Sequence, residues 1–292
     1  MLHPQARRAV EARAGEMPVH HPAYDVDAAR AEAQAVAAAA PREEVARVSD
    51  IDAGGVPARL YRPEGAGDGI VVHFHGGGFV FNDVEVHDAI CRAFANRLGL
   101  AVLSVDYRRP PEARFPAAVE DVDAVLAWLA TSEFADVPTY AHGDSAGGNL
   151  ALVAALRHPG RFTALALVYP FLDPTMSFPS YQASGTGFDP EEAAWYWRQY
   201  AATEADLHDP DLAPLLSPAL DTLPPTLVVS AEHDPLRDEA EHLAQRLADL
   251  GVQVVATRYL GQVHGFWRHP DVFDAAEPLL RQVAGFLLSH HA

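Results

Sequence analysis

An α/β fold with a mostly parallel central sheet, helices on both faces and a helical cap is predicted by three observations. Short apolar runs alternate with longer amphipathic segments, a hairpin pattern precedes them, and two stretches break the alternation. The first break is the N-terminal stretch, rich in Ala, Glu and Arg at helical spacing and interrupted by Gly15, Pro18 and Pro22. It predicts two or more helices ahead of the core.

Val45 to Ile51 and Val56 to Tyr61 alternate around Gly54-Gly55, the pattern of a hairpin. Strands are then predicted at Ile70 to Phe74, Ala101 to Tyr107, Pro138 to His142, Ala164 to Tyr169, Leu227 to Ala231 and from Val252 to Arg258 or Tyr259. Between several of them lie helical patterns at Asp88 to Leu98, Pro116 to Ala130, Ala146 to Arg157 and Leu236 to Leu250. Repeated strand–helix–strand units imply parallel pairing with helices on both faces. The second break, Phe171 to Pro225, carries many prolines around Trp195-Tyr196-Trp197-x-x-Tyr200. The organisation that follows is an N-terminal helical cap segment at 1–45, core at 46–176, a cap insertion at 177–213 and core again at 214–292.

A formal charge of −19 with no lysine, all 21 cations being arginine, draws neither a phosphate-binding stripe nor a polybasic membrane patch. Nucleic acid is excluded as a partner on this reading, and the field favours neutral or cationic small molecules. The single cysteine, Cys91, permits no internal disulfide and falls in a helical pattern, where a buried inert thiol is expected. The N-terminus lacks an apolar secretory core, and no apolar run reaches the roughly 20 residues of a membrane span. A cytoplasmic protein is expected; a homo-oligomer is compatible with the sequence but not specified by it.

Gly143-Asp144-Ser145-Ala146-Gly147 lies where a predicted strand turns into a predicted helix. That turn holds a serine in a strained backbone conformation with its hydroxyl exposed, and the flanking glycines remove side chains that would collide. Upstream by 70 residues, His75-Gly76-Gly77-Gly78-Phe79 follows the strand ending at Phe74. Consecutive glycines there offer bare backbone amides to a ligand oxygen, joined by the amide of Ala146 after the nucleophile. His73 and His75 form a His-x-His pair, but no third residue at ligand spacing accompanies them, so no metal is expected.

Attack by serine needs a base and an acid that orients the base, in the chain order Ser, Asp or Glu, His. His264 sits in a loop, Gly261 to Phe266, after the last predicted strand, whereas His242 falls within a helix and His290 in the tail. Asp234 follows the strand Leu227 to Ala231, one strand before the His264 loop; Glu232 and Asp173 are its rivals, and N-capping the next helix is its other reading.

Together these motifs, with Asp106-Tyr107-Arg108, Phe115-Pro116-Ala117-Ala118, Gly148-Asn149 and Asp234-Pro235-Leu236-Arg237-Asp238-Glu239, resemble the hormone-sensitive-lipase branch of the α/β-hydrolase fold over most of residues 56–270. The resemblance implies Ser145, Asp234 and His264 as the catalytic triad, and Gly76, Gly77 and Ala146 as oxyanion donors. It also implies a cap made of the N-terminal helices and the insertion after the sixth core strand. The chain departs from the family at Arg109-Pro110-Pro111, where Leu-Ala-Pro is usual, and at His142 before the elbow glycine. The implied activity is a serine carboxylesterase acting on short- to medium-chain esters through an acyl-enzyme, with no metal or cofactor required. Phe79, Trp195, Trp197 and Tyr200, with Tyr196, are expected to line or roof the substrate cleft. Amides, lactones or carbamates are alternative substrates for the same triad; a lipase acting at oil interfaces and a non-catalytic ligand-binding protein are the other readings.

Overall fold

In a computed structural model, the described residues are 1–183 and 188–291; residues 184–187 of the predicted cap insertion lie outside them. The hairpin forms as predicted: β1 (Arg47–Asp52) pairs antiparallel with β2 (Pro57–Arg62), with Asp52 opposite Pro57. Gly54 and Gly55 take φ values of 78° and 91° at its turn, which residues with a Cβ adopt only under strain. Six strands follow, β3 (Ile70–Phe74), β4 (Ala101–Val105), β5 (Thr139–Asp144), β6 (Ala164–Val168), β7 (Thr226–His233) and β8 (Val254–Val263). They complete one sheet in the order β1-β2-β4-β3-β5-β6-β7-β8, antiparallel at the hairpin and at its junction with β4, parallel elsewhere.

The helices are α1 (Pro4–Ala12), α2 (Val26–Ala39), α3 (Asp88–Leu98), α4 (Ala117–Leu129), α5 (Ala146–Arg157), the short α6 (Ser180–Ala183), α7 (Pro190–Tyr200), α8 (Arg237–Asp249) and α9 (Ala276–Ser289). The core helices leave buried residues on both faces of the sheet, in two hydrophobic clusters, and β3 to β6 are buried along their whole length. Strands covered on both faces read as continuous apolar runs, which is why their positions were legible. Cys91 is buried among the second cluster, and burial pushes its thiol up, out of the reactive range. No helix among the described residues is long and apolar enough to cross a membrane.

Buried Asp88 ties the hairpin and the end of the N-terminal segment to α3. It accepts from Arg42 at 2.9 Å, Arg59 at 3.0 Å, Arg92 at 2.6 Å and the Tyr61 hydroxyl at 2.9 Å. Helix α2 is anchored through Arg30, which donates to the Val80 and Pro110 carbonyls and to Glu112. Helix α1 is anchored where the His3 amide donates to the Gly261 carbonyl at 2.9 Å. Residues of α1 and of α7 both reach the one cleft that contains Ser145.

The tightest approach in the core is α5 against β3. A Cβ placed on Gly147 would collide with the Phe74 carbonyl, and one on Gly143 with the Gly147 carbonyl. Both clashes are with backbone, which has no rotamer by which to yield. Gly147→Ala is therefore expected to lower the stability of the fold by roughly 3 kcal/mol or more, at the upper end of core overpacking. An unfolding free energy from urea titration within about 0.5 kcal/mol of the parent's would contradict this packing.

Candidate active site

Strand β5 ends at Asp144 and α5 begins at Ala146, so Ser145 alone makes the turn. Its φ of 55° and ψ of −121° lie where a non-glycine residue is strained. The strain is held by backbone bonds from the Ser145 amide to Val168 at 2.9 Å and from the Phe171 amide to Ser145 at 3.1 Å. Asn149, one turn into α5, donates to the carbonyls of Phe171 and Leu212, both at 2.9 Å, and so fixes the base of the chain segment that follows β6.

The hydroxyl of Ser145 lies 2.9 Å from His264 Nε2, and His264 Nδ1 lies 2.8 Å from Asp234 Oδ2. With Nδ1–H donating to the buried carboxylate, Nε2 keeps a lone pair for the serine proton. Asp234 also accepts the Leu236 amide on Oδ1 at 2.9 Å, a local turn just ahead of α8, whose N-cap is Leu236 without a side-chain cap bond, so the expected capping role is not the one it fills. Neither rival serves the histidine: Glu232 accepts the Gly261 amide, and Asp173 is occupied by Thr175 and Ser177 of its own loop. The base sits immediately after β8, which runs to Val263 instead of ending near Tyr259. A register shift between Ala231 and His233 pairs His233 with Val263, extending β8 through the predicted loop residues Gly261 and Gln262. The imidazole packs against Tyr169 at 4.6 Å and Phe188 at 5.0 Å between ring centres.

Of the three amides implied for an oxyanion site, the structure turns one away. The Gly76 amide donates to the buried Asp144 Oδ1 at 2.9 Å, and Gly76 does not line the cleft. Gly77 and Gly78 line the cleft, and Ala146 is the first residue of α5, where an amide has no partner one turn earlier. Glycine is needed at both loop positions. Their φ values are 128° and 59°, and a Cβ would strike the Phe81 carbonyl at Gly77 and the Tyr196 ring at Gly78. Asp144 is buried, and burial raises its carboxyl above the usual range against the pull of Arg268 and the Gly76 amide. It acts as the brace of the glycine loop.

The cleft measures about 360 Å³. Its aromatic wall is Phe81, Phe171, Phe188 and Tyr196. The predicted contacts Phe79, Trp195, Trp197 and Tyr200 do not line it. Phe79 is fully buried and stacked on Tyr200 at 3.7 Å, Trp197 packs on Phe171 at 4.1 Å, and Trp195 stacks on the outer side of Phe81. Helical rotation explains the difference: four aromatics within six positions of α7 cannot share one face, and only Tyr196 points to the cleft. Phe171, where the second break begins, and Phe188, inside the insertion just ahead of α7, carried no motif that sequence reading could use.

Beneath the glycine loop, His73 and His142 face each other across β3 and β5 in register, with their Nδ1 atoms 2.9 Å apart. His73 Nε2 is in turn 3.1 Å from His87 Nδ1, and His87 Nδ1 is 3.8 Å from Asp144. The unusual His142 of the sequence is thus one member of a buried row. His73, His87 and Asp144 approach closely enough to hold a cation, ligands that sequence spacing did not reveal. Both nitrogens of His73 are nevertheless engaged by its neighbours. Three neutral rings joined by two hydrogen bonds leave one N–H over, at His142 Nε2 or His87 Nε2, and both of these atoms are buried without a partner among the described residues. Burial pushes His73 down to about 3 and holds His75, His87 and His142 well below the usual imidazole range.

A strand–elbow–helix serine joined to a histidine and a carboxylate from later strand ends defines an α/β hydrolase, and the family model described as the alpha/beta hydrolase fold matches residues 71–268. The carboxylic ester hydrolase LipN of Mycobacterium tuberculosis is 39% identical over 83% of this chain and 70% of its own length. An ethyl acetate hydrolase of Pseudomonas putida is 32% identical over 94% of this chain and 92% of its own. Among solved structures, a hyperthermophilic esterase of Pyrobaculum calidifontis superimposes with a TM-score of 0.90 at 36% identity, covering 99% of this chain and 98% of that one. The chain belongs to the α/β-hydrolase fold family, in its hormone-sensitive-lipase-like branch.

Proposed function

We propose that this protein hydrolyses short- to medium-chain carboxylic esters through an acyl-enzyme on Ser145, with His264 as base, Asp234 as the residue that orients it, and Gly77, Gly78 and Ala146 as oxyanion donors. The protein is a carboxylic ester hydrolase, in keeping with its esterase relatives. The observation that carries the assignment of roles is the unbroken relay from Ser145 Oγ through His264 to Asp234, at 2.9 Å and 2.8 Å.

His264 Nε2 takes the hydroxyl proton as Oγ adds to the ester carbonyl carbon, and Asp234 stabilises the imidazolium without taking up the proton. Charge on the carbonyl oxygen falls to the three amides, which are fixed before the reaction begins. The C–O bond to the alcohol then breaks, and the alcohol leaves with the proton from His264. A water molecule, deprotonated by the same nitrogen, releases the acid. A cleft of about 360 Å³, at the small end of ligand pockets, supports the short- to medium-chain range. Helices α1 and α2 with the 177–213 segment form the cap over it on this reading. The complete relay also speaks against a purely ligand-binding protein on this fold.

A fluorophosphonate probe tests the chemistry. One equivalent is expected to phosphonylate Ser145, identified by peptide mass, with loss of p-nitrophenyl acetate hydrolysis in proportion. In His264→Ala the labelling rate is expected to drop by at least a hundredfold. Labelling at another residue, or undiminished labelling without His264, would remove Ser145 from the role.

A further inference from the structure

The charged groups of the cleft are unevenly distributed. Opposite its aromatic wall, the end formed by α1 and the segment after His264 presents Arg13, Arg268 and His269 beside Val272 and Phe273. Arg268 follows the base by four residues. Its guanidinium makes no hydrogen bond among the described residues, its one ionic neighbour being Asp144, 3.7 Å from Nε. Asp144 itself lines the cleft and also accepts the Gly76 amide, while the Nη donors of Arg268 make no hydrogen bond among the described residues. Arg13 uses Nε on the exposed Glu16 at 3.2 Å and likewise leaves its Nη groups without a partner among the described residues. The two cations act on the same space: both depress His269, which burial and their charge bring down to about 4, so that the ring between them is neutral. The acidic groups facing this end are Asp144 on Arg268, Glu16 and Glu192 on Arg13, and Asp271. Asp271 beside His269 acts against the two cations, and Glu192, across the cleft, takes the Tyr196 hydroxyl while burial raises its carboxyl.

Arg268 in the cleft wall, its Nη groups without a hydrogen bond among the described residues, beside the largely exposed Arg13 whose Nε is paired with Glu16, is an arrangement that a neutral ester does not use. We propose that this end of the cleft is an anion subsite, centred on Arg268 and assisted by Arg13, and that the preferred substrates are esters carrying a carboxylate, such as half-esters of small dicarboxylic acids. The planar guanidinium offers a bidentate fit to a carboxylate, while the low dielectric of a closed site strengthens the pair relative to water. The carboxylate is a spectator: Ser145 and water cleave the ester bond as before, giving the acid and the alcohol. The proposal rests on the esterase reading above and adds the substrate class. It runs against the expectation, drawn from net charge, that the field favours neutral or cationic small molecules.

The test compares matched pairs in the full-length protein. Monoethyl succinate is set against ethyl pentanoate, placing the charge in the acyl half; acetoxyacetate is set against propyl acetate, placing it in the alcohol half. For at least one pair the charged ester is expected to have the higher kcat/KM. In Arg268→Gln that charged-to-neutral ratio is expected to fall roughly 10- to 100-fold, mainly through KM, as for loss of a charge-assisted hydrogen-bonded pair. Arg268→Lys is expected to retain part of the ratio and guards against misfolding of the glutamine variant, and Arg13→Gln is expected to lower it less. Raising the salt concentration should reduce it in the parent. A parent that favours the neutral member of both pairs, or an Arg268→Gln variant that loses both esters of a pair equally, overturns the proposal; the latter would leave Arg268 only as the counter-ion of Asp144. Failure to cleave even the neutral esters in a folded parent would instead defeat the esterase reading itself.

Discussion

Ser145→Ala is expected to lower kcat for p-nitrophenyl acetate by roughly 10⁵- to 10⁶-fold while leaving the thermal unfolding midpoint within a few degrees of the parent, as seen when members of such a triad act as one unit. The hydroxyl's one hydrogen bond among the described residues is with His264 Nε2, at 2.9 Å, so on the proposed roles its loss removes the nucleophile and little packing. Asp234→Asn is expected to cost about 10⁴-fold, because an amide facing Nδ1 favours the wrong imidazole tautomer. It should also cost some stability, since Asp234 is fully buried and accepts the Leu236 amide. Adding His264→Ala to Ser145→Ala is expected to bring no further loss, and the residual rate that remains should come from the oxyanion amides. Circular dichroism together with a stopped assay on purified variants checks all three. A Ser145→Ala protein retaining a tenth of the parent activity would place the nucleophile elsewhere.

The protein is expected to lose stability steeply between pH 7 and pH 5, before its surface carboxylates titrate. His73, His75, His87 and His142 are buried and held neutral, far below the ordinary imidazole value. A depressed folded-state value means that, once the pH passes below about 6.5, the unfolded chain gains protons that the folded one does not. Stability therefore falls with pH, by roughly 1.4 kcal/mol per pH unit for each such histidine. The contribution is lost from about 6.5 downwards, and for His73 the decline continues to about 3. Buried Glu239, pushed well above the carboxylate range by desolvation, acts in the opposite sense, and so does Asp144. Four histidines outweigh these two groups in that window. Urea midpoints measured from pH 8 to pH 5 should fall monotonically, and the paired replacement His73→Phe with His142→Phe should flatten the slope. A flat profile in the parent would mean that these imidazoles are not buried and neutral.

What could be read ahead of the structure followed from how each feature is encoded. That Ser145, Asp234 and His264 lie together was legible because each sits at the end of an apolar run, and a strand end tells where a loop residue must lie. The strands β3 to β6 were legible for the same reason, since burial on both faces writes an uninterrupted apolar word. Gly76 was misassigned because three successive glycines say that backbone is exposed there without saying which amide turns inward. The buried Asp144 decides that, and a carboxylate inside a nucleophile elbow, needing a donor, was the available hint. The aromatics of α7 were misassigned because a cluster in sequence does not specify a face: Trp197 and Tyr200 build the wall from behind, Tyr196 faces the cleft, and Phe171 with Phe188 had no local signature. His142 showed only as a departure from the family pattern. Its partner His73 lies across a strand pairing, a distance of 69 residues in sequence, and no local periodicity reports such a contact. Arg268 went unremarked because a lone arginine after a histidine loop resembles any solvated cation.

The relay joins the ends of β5, β7 and β8, so a nascent chain leaving the ribosome carries the elbow serine long before it carries the partners. Asp234 is synthesised 89 residues after Ser145, and His264 another 30 later. At the usual 5–20 residues per second that interval is roughly 6–24 s. Throughout it the serine is an ordinary alcohol, unable to acylate itself on cellular esters or to cleave anything near the translation machinery. On the proposed roles, chemical competence arrives only after the last strand of the sheet, so turnover reports that synthesis has passed β8 and any product truncated ahead of it is silent.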